Sequence, residues 1–439
     1  MRSEAVLTAT VMGLGMHQGA WRFRDGDPFD HLGPGYHLEN ARLAEAGGLH
    51  ALFLADTLDG SEERYARPSL GALDPAVVLA TLAAATERIG LVATSSTSFN
   101  EPYNLARRMA SLDAMSRGRA GWNAVTTFVP GAAAQFGDAP LPDHAARYAR
   151  AGEFLDVVKG LWGSWDPAAL VGDKGTGRYV DTDHVHALDH RGEHFAVRGP
   201  ATLPPSPQGR PVIFQAGSSG PGRDLAARHA DVVFTAQNTL EAAVAFRTDL
   251  RERAAALGRD PDHLLVLPGL VPVLGDTTAD AQDRKEHLDR ARGIGPELDK
   301  LALRVGVPVA DLELDAPLPV ERIRANEGFR GSHGFRDAAV ELAVRRGLTV
   351  RELLAENGGG HLQVVGTPDK VADTVETWLD AGAADGFNLM IDVLPDGLAA
   401  VVDEVVPRLR KRGRFPADYV GTTLREHLGL PRPALPLPA

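Results

Sequence analysis

The sequence predicts a (β/α)8 TIM barrel with long insertions, and two observations favour this fold. Eight short apolar runs rich in β-branched residues occur along the 439-residue chain, and nearly every run is followed by a helical pattern. Alternating strands and helices form parallel sheets with right-handed crossovers, and eight such units close into a barrel. Hydrophobic residues make up 44% of the chain, which is enough for a large core.

The predicted strands are short and the helices between them are longer, as this fold requires. The strands are expected at 5–13, 49–56, 88–96, 119–127, 210–217, 230–236, 263–273 and 386–393. Helices are expected at 36–47, 75–87, 102–116, 144–161, 367–383 and 398–412, and one more begins near Arg223. Asp74 is the expected N-cap of the second helix, because Pro75 follows it at the first helical position.

Three segments exceed the length that a minimal barrel needs. They lie at about 128–142, 163–209 and 276–360, and loops of this length inside a compact domain are usually lids or binding segments. We expect one domain over residues 1–439, with a flexible proline-rich tail at 431–439.

Composition excludes several classes of function. The net charge of −12 argues against nucleic acid as the main partner and against a basic membrane-binding surface. The absence of cysteine excludes disulfides, thiolate metal sites and cysteine nucleophiles. The N-terminal apolar run is too short for a membrane span and lacks a cleavage site, so we expect a cytoplasmic protein.

Polar residues that follow the strands are the first candidates for a site, because barrel active sites lie at the C-terminal strand ends. His17 could donate or accept a proton, Asp56 could accept from ring N–H groups of a heterocycle, and Thr94 could donate to a ligand carbonyl. Each has a structural alternative: a core histidine, a turn or N-cap residue, and a hydroxyl bonded to its own backbone. Asn123 follows the fourth strand in the same way.

The turn after the fifth strand has the composition of an anion site. Ser218 and Ser219 lie in the glycine-rich segment 217–223, which feeds a helix whose N-terminus is positive. His144 and Tyr148 are four residues apart in another helical pattern and so share one face. An ordinary strand-to-helix turn and a half-buried surface pair are the alternatives.

Other kinds of site are disfavoured. The histidine-rich stretch 184–194 lacks helical H-E-x-x-H spacing and lies in a polar insertion, so no metal site is predicted. A G-x-S-x-G elbow is absent, which disfavours a serine hydrolase.

Several long blocks resemble the nitrilotriacetate monooxygenase class of bacterial-luciferase-like flavin enzymes. The blocks follow the family order from one end of the chain to the other. They are FLAD, LVATSSTSFNEPYNLARRMASLD, SRGRAGWNAVT, RYARAGEFLDVVKGLW, HRGEHFAVRGP, QAGSSGPGRDLAARHADVVFTA, VGTPDKVADTVETWLDAGAADGFNLM and YVGTTLREHLGL.

The resemblance implies a two-component monooxygenase that takes reduced FMN from a separate NAD(P)H:flavin reductase. With O2 it would oxygenate a small organic substrate through a flavin C4a-hydroperoxide, inside a pocket that excludes water. It also implies a homodimer or homotetramer. Carried over residue by residue, the ring would face Asp56, Thr94 and Asn123, and the phosphate and ribityl end would meet His144, Tyr148, Ser218 and Ser219. His17 is the candidate for proton delivery.

The chain departs from the family pattern near the substrate side. Met16 and Gln18 stand where the family pattern G-H-H-E-A-A-W-R has His and Glu, Gln135 replaces an Asn, and Ala124 replaces a larger aliphatic residue. These departures leave substrate identity open. Two alternatives also stay open: a deazaflavin-dependent hydride-transfer enzyme of the same fold, and a non-catalytic flavin-binding relative.

Overall fold

The computed structural model describes residues 2–61, 73–137, 141–329, 331–356 and 360–434. Thirteen strands lie within them. In chain order they are β1 Val6–Thr10, β2 Ala51–Leu54, β3 Gly90–Ser96, β4 Ala120–Val125, β5 Leu170–Asp173, β6 Arg178–Val180, β7 His190–Arg191, β8 Ala196–Val197, β9 Val212–Ala216, β10 Val232–Thr235, β11 Leu265–Leu274, β12 Leu362–Gly366 and β13 Gly386–Met390.

Eight of these strands close into a parallel ring, which confirms the predicted barrel. Each strand hydrogen-bonds to its neighbours in the order β1, β2, β3, β4, β9, β10, β11, β13 and back to β1. These eight are the eight predicted strands, with their ends trimmed by a few residues. The C-terminal strand ends therefore meet at one face, where the polar candidates were expected.

The ninth parallel strand, β12, was not predicted. It pairs with the second half of β11, which at ten residues is the longest strand described. The first half of β11 pairs with β10, and its middle pairs with β13, so the extra length projects beyond the ring and gains β12 as a partner. The short apolar run of β12 lies between the predicted insertion 276–360 and the helix predicted from residue 367, where no strand is predicted.

The helices lie outside the ring. The longer ones are Pro34–Ala46, Pro75–Ala83, Pro102–Met115, His144–Trp162, Gly220–His229, Leu240–Ala256, Thr278–Arg292, Gly295–Val305, His333–Arg346 and Pro368–Asp380. The expected cap at Asp74 is present, because its carboxylate accepts from the Ala76 and Val77 amides. Among the described residues, no helix has the length and apolar character needed to cross a bilayer.

The predicted final helix at 398–412 was wrong in one respect, because it is not one continuous α-helix. Asp396–Ala400 and Val406–Lys411 are α-helical, and Val401–Val405 between them is a π-helix. Pro407 lies at the start of the last segment and has no amide to donate, so the regular hydrogen-bond ladder cannot run through it.

The floor of the barrel is closed by the C-terminal segment. Leu424, Leu428 and Leu430 are buried in one cluster with residues at the N-terminal strand ends, such as Val6 and Val212. Burying apolar area in this way contributes roughly 25 cal/mol per Å². The packed floor leaves the opposite, C-terminal face as the open end.

The predicted insertions differ in structure. Within 163–209 the chain forms two small antiparallel sheets, β5–β6 and β7–β8. The described residues of 276–360 are mainly helical, and residues from Leu301 to Leu354 pack into a core of their own. Residues 138–140 of the first insertion and 435–439 of the expected tail lie outside the described residues. The single-domain organisation stays a prediction.

Candidate active site

A cleft opens at the C-terminal ends of β4, β9 and β10. Its walls also include the start of the helix His144–Trp162 and the segment 331–335 from the third insertion. The centre of a water molecule can occupy about 130 Å³ inside it. Of the predicted site residues, His144, Tyr148, Ser218 and Ser219 line this cleft together.

The two serines occupy different positions in the turn after β9. Ser219 is the N-cap of the helix Gly220–His229, where its Oγ accepts from the Gly222 amide and lies 3.2 Å from His144 Nε2. Ser218 Oγ lies 3.0 Å from Thr235 Oγ1 at the end of β10. Both hydroxyls thus stand at a positive helix end beside an imidazole, which suits an anion such as a phosphate.

Glycine at two positions of this turn leaves room for nearby side chains, and Tyr148 is one of them. A Cβ atom on Gly217 or on Gly222 would lie 3.1 Å from the Tyr148 hydroxyl oxygen, which is tighter than ordinary contact. The His144 and Tyr148 rings are 4.7 Å apart, as the shared helix face predicts. The hydroxyl therefore lies directly against the backbone of the turn.

The surroundings of His144 favour its neutral form. Burial lowers its pKa, and the neighbouring His333 and Arg147 lower it further. An anion bound at the turn would oppose both charge effects and favour the protonated imidazole.

Thr94 and Asn123 form a second group, inside the barrel. They are register partners on β3 and β4, and Asn123 Nδ2 donates to Thr94 Oγ1 over 3.0 Å. Asn123 Oδ1 is buried without a hydrogen-bond partner. Because burying such an atom costs about 1–3 kcal/mol, this orphaned acceptor points to a ligand donor.

Asn388 is another buried asparagine of the barrel strands that has an unpaired group. It lies on β13, where its Oδ1 accepts from Thr10 Oγ1 over 3.1 Å, and its Nδ2 is buried without a partner. Sequence reasoning missed this residue, although an asparagine in the middle of the apolar run GFNLM is itself a signal. An unpaired acceptor and an unpaired donor suit a heterocycle that carries both kinds of group.

Asp56 stands apart from both groups, two residues after β2. Burial and the charge of Asp74 raise its pKa to about 6. No helix begins within residues 55–61, so the N-cap alternative does not apply to the described chain. Its role toward a heterocycle stays a prediction.

His17 lies at the junction of the strand-one loop with the third insertion. Its Nδ1 accepts from the Gly19 amide over 3.0 Å, and its Nε2 lies 3.2 Å from Asp289 Oδ1. The first contact places the ring proton on Nε2, facing the carboxylate. Proton delivery by His17 stays a prediction, and its visible contacts join two segments of chain.

Two cleft residues could not be found from sequence patterns. His333 belongs to the third insertion, and His361 immediately precedes the unpredicted β12. His361 is buried against Phe234, with ring centroids 5.1 Å apart, and burial lowers its pKa to about 3. Both lie far along the chain from the other cleft residues, so only the folded structure brings them there.

The described residues contain no cluster of three or more His, Asp or Glu side chains arranged to hold a metal ion. The groups that the cleft offers to a ligand are hydroxyls, backbone amides and imidazoles.

Comparison with known proteins gives consistent likenesses. A family model described as luciferase-like monooxygenase matches residues 7–385. The chain is 41% identical over 437 residues to N-acetyl-S-(2-succino)cysteine monooxygenase of Bacillus subtilis (strain 168), covering 98% of both chains. It is 42% identical over 435 residues to nitrilotriacetate monooxygenase component A of Aminobacter aminovorans, covering 95% of both chains.

A solved structure shares both the fold and substantial sequence. The crystal structure of a riboflavin lyase with modified FMN and riboflavin superposes with a TM-score of 0.85 at 32% identity. The match covers 97% of this chain and 96% of that chain.

Proposed function

The chain belongs to the luciferase-like monooxygenase family, and we propose that it is the oxygenating component of a two-component flavin monooxygenase. It uses reduced FMN from a separate NAD(P)H:flavin reductase, and O2, to oxygenate a small organic substrate. The observation that carries this proposal is the turn Gly217–Ser219, with two hydroxyls, a helix N-terminus and an imidazole at the open end of the barrel.

The residues present fit FMN at both ends. The turn offers donors for a phosphate, and its glycines keep space that a Cβ would fill. Inside the barrel, Asn123 Oδ1 and Asn388 Nδ2 lack partners, which suits the donors and acceptors of an isoalloxazine ring. Ser218, Ser219, His144 and Tyr148 would hold the phosphate and ribityl end.

Each group has a defined task in this proposal. When bound, reduced FMN supplies the two electrons with which O2 delivers one oxygen atom to the substrate and the other to water. Thr94 and Asn123 orient the ring, and Asp56 accepts from its N–H groups. The insertions cover the cleft and keep water out, because water would divert the reduced oxygen to peroxide.

The two relatives are named for different small molecules, so their names do not select one substrate class for this chain. Met16 and Gln18, which depart from the family pattern, lie in the loop that contacts the third insertion near Asp289. We place the substrate on that side of the flavin.

Anaerobic titration with reduced FMN, followed by oxygen uptake and 18O incorporation with a panel of organic substrates, tests the proposal. We expect tight binding of reduced FMN and one labelled atom in the product. Ser219→Ala should weaken FMN binding about tenfold, whereas Ser111→Ala, an exposed serine on an outer helix, should not. Tight binding of a deazaflavin without FMN binding would indicate the hydride-transfer alternative. Peroxide as the sole product would indicate a non-catalytic relative.

A further inference from the structure

The loop after β1 is held between the barrel and the third insertion. Helix Thr278–Arg292 lies against Gly19, where an added Cβ atom would come within 2.5 Å of the Leu288 carbonyl oxygen. On the barrel side, the Met16 amide donates to the Ile391 carbonyl over 2.7 Å, just after β13. Because the backbone of this loop is fixed on both sides, its side chains have defined directions.

The side chain of His17 is directed toward the insertion. Its Nδ1 accepts from the Gly19 amide, and its Nε2 lies 3.2 Å from Asp289 Oδ1. Asp289 also accepts from Lys285 over 2.6 Å and pairs with Arg292 over 3.0 Å. Because both ring nitrogens of His17 are engaged within the protein, the imidazole joins two segments of chain and offers neither nitrogen to a substrate.

The side chain of Met16 is directed toward the barrel, where it belongs to an apolar group at the C-terminal strand ends. The other members of this group are Phe234, Val271, Val273, Val365 and Met390. Met16, Phe234 and Val365 are only half-buried, so the group presents apolar surface at the barrel mouth. Phe234 also lines the cleft, so this apolar surface is continuous with the cleft.

The register of the strands places the apolar group over the interior of the barrel. Val6 is buried with Val212, which belongs to a strand directly across the ring, so Val6 faces the interior. Thr10, four residues further along β1, faces the same way, and so does its hydrogen-bonded partner Asn388. Met390 follows Asn388 by two residues on β13 and therefore lies on the same face, nearer the open end. Met16 packs against it at that end.

We infer that Met16 is the residue of this loop that contacts the substrate, and that it selects a small organic molecule whose reacting part is apolar. This inference rests on the proposed function. His17 then acts through Asp289 as a positioning residue that keeps Met16 in place. The family pattern has a histidine where this chain has Met16. A group that hydrogen-bonds is thus replaced by one that favours contacts with carbon and sulfur.

Methionine-methyl NMR of the full-length protein with FMN bound tests the contact, because the chain has only six methionines. The probe is 1-hexanol, and the Met16 resonance is identified by its loss in Met16→Leu. This resonance should shift when the alcohol is added. The resonance of Met115, which is 63% exposed on an outer helix, should not shift. An unmoved Met16 resonance, or equal shifts of both, would overturn the inference.

A series of alcohols from 1-butanol to 1-octanol measures the apolar contribution. Their affinity for the FMN-bound protein, measured by flavin fluorescence, should rise about threefold per added methylene. Met16→Leu should keep this increment, since leucine is apolar and of similar volume. Met16→His should reduce it, and Met115→His is the matched control that should not. An increment that is unchanged in Met16→His would contradict the role of Met16.

The positioning role of His17 has a different signature. In the FMN-free protein, His17→Gln should speed amide exchange over 12–24 and 278–292. With FMN bound, it should weaken the binding of every alcohol by a similar factor and leave the increment per methylene unchanged. Exchange no faster than in the wild type, or a changed increment, would contradict this role.

FMN binding by the wild type separates the inference from the proposed function. If the wild type binds FMN but 1-hexanol does not shift the Met16 resonance, the role of Met16 is wrong while the proposed function stands. If the wild type does not bind FMN, the proposed function itself fails.

Discussion

The barrel and the third insertion have separate hydrophobic cores. The barrel closes through parallel strands and a continuous apolar core, whereas the insertion has its own smaller core between Leu301 and Leu354. The contacts that join them include an ion pair of His17 with Asp289, the close packing of Gly334 on Ser218, and a small apolar cluster of Ala20, Leu288 and Val393. Each part therefore has its own core, and the junction between them has a separate set of contacts that mutations can address.

The largest effect should come from a buried ion pair of the barrel. Arg247 binds both oxygens of Asp385, at 3.0 and 2.7 Å, and Asp385 also accepts from the Val266 amide. Asp385→Ala strands a buried guanidinium and an amide, so we expect a loss of about 3–5 kcal/mol in the free energy of unfolding. Urea denaturation measures this.

Asp315→Ala is the control for that variant, because Asp315 forms an exposed pair with Arg351 within the insertion. It should leave the unfolding midpoint unchanged. Equal midpoints for the wild type and Asp385→Ala would contradict the prediction.

A core change in the insertion should be smaller and confined to it. Leu353 is fully buried in the insertion core, so Leu353→Ala should cost about 3 kcal/mol locally. Hydrogen exchange should show faster exchange over 295–356 with barrel strands unaffected, and Leu303→Ala, at an exposed site, should show no change. Uniform loss of protection across the barrel would mean that the two cores unfold as one.

The junction should respond to acid. Burial opposes ionisation of Asp289, yet hydrogen bonds from His17 and Lys285 and the charge of Arg292 lower its pKa to about 2. A carboxyl with a lowered pKa contributes stability above its unfolded pKa and loses it as pH falls from about 4 to 2. The thermal unfolding temperature of the wild type should decrease as the pH falls from about 4 to 2. Asp289→Asn should lack the part of this decrease that comes from Asp289. An equal decrease in both proteins would contradict the prediction.

Asp56, on the barrel rim, should show the opposite sign and the smallest effect. Its raised pKa of about 6 means that the folded state retains a proton that the unfolded state loses, so the wild type loses stability as pH rises from about 4 to 6. Asp56→Asn removes this loss, and its advantage should grow across that range and then level off. Because Asp56 is partly exposed, we expect on the order of 1 kcal/mol. Melting temperatures of both proteins, measured between about pH 4 and 7, test this. A difference that stays constant or shrinks as pH rises would contradict the prediction.

Sequence patterns predicted the repetitive part of the molecule well. The eight ring strands, the fold class and the family were all predicted and are confirmed, because β/α alternation and long blocks in family order are local signals. The strand β12 was missed because its pairing depends on the projecting end of β11. The break near Pro407 was missed although its cause is local, because the apolar pattern continues through it.

The candidate site divides in the same way. His144, Tyr148, Ser218 and Ser219 were predicted and share one cleft, because each follows a strand or shares a helix face. Their cofactor roles, and that of His17, stay predictions. His333 was not predicted. It lies 115 positions beyond Ser218, and no local pattern shows that its helix packs against the Ser218 turn.

The leucines that close the barrel floor have a consequence for biosynthesis. Leu424 is inserted beneath β3 so closely that a Cβ on Gly90 would lie 2.4 Å from its Cδ1, and its amide donates to the Gly118 carbonyl. These residues are synthesised after all eight ring strands. Until they are made, nothing from this segment covers the apolar N-terminal strand ends, so a chain truncated before Leu424 should expose that surface.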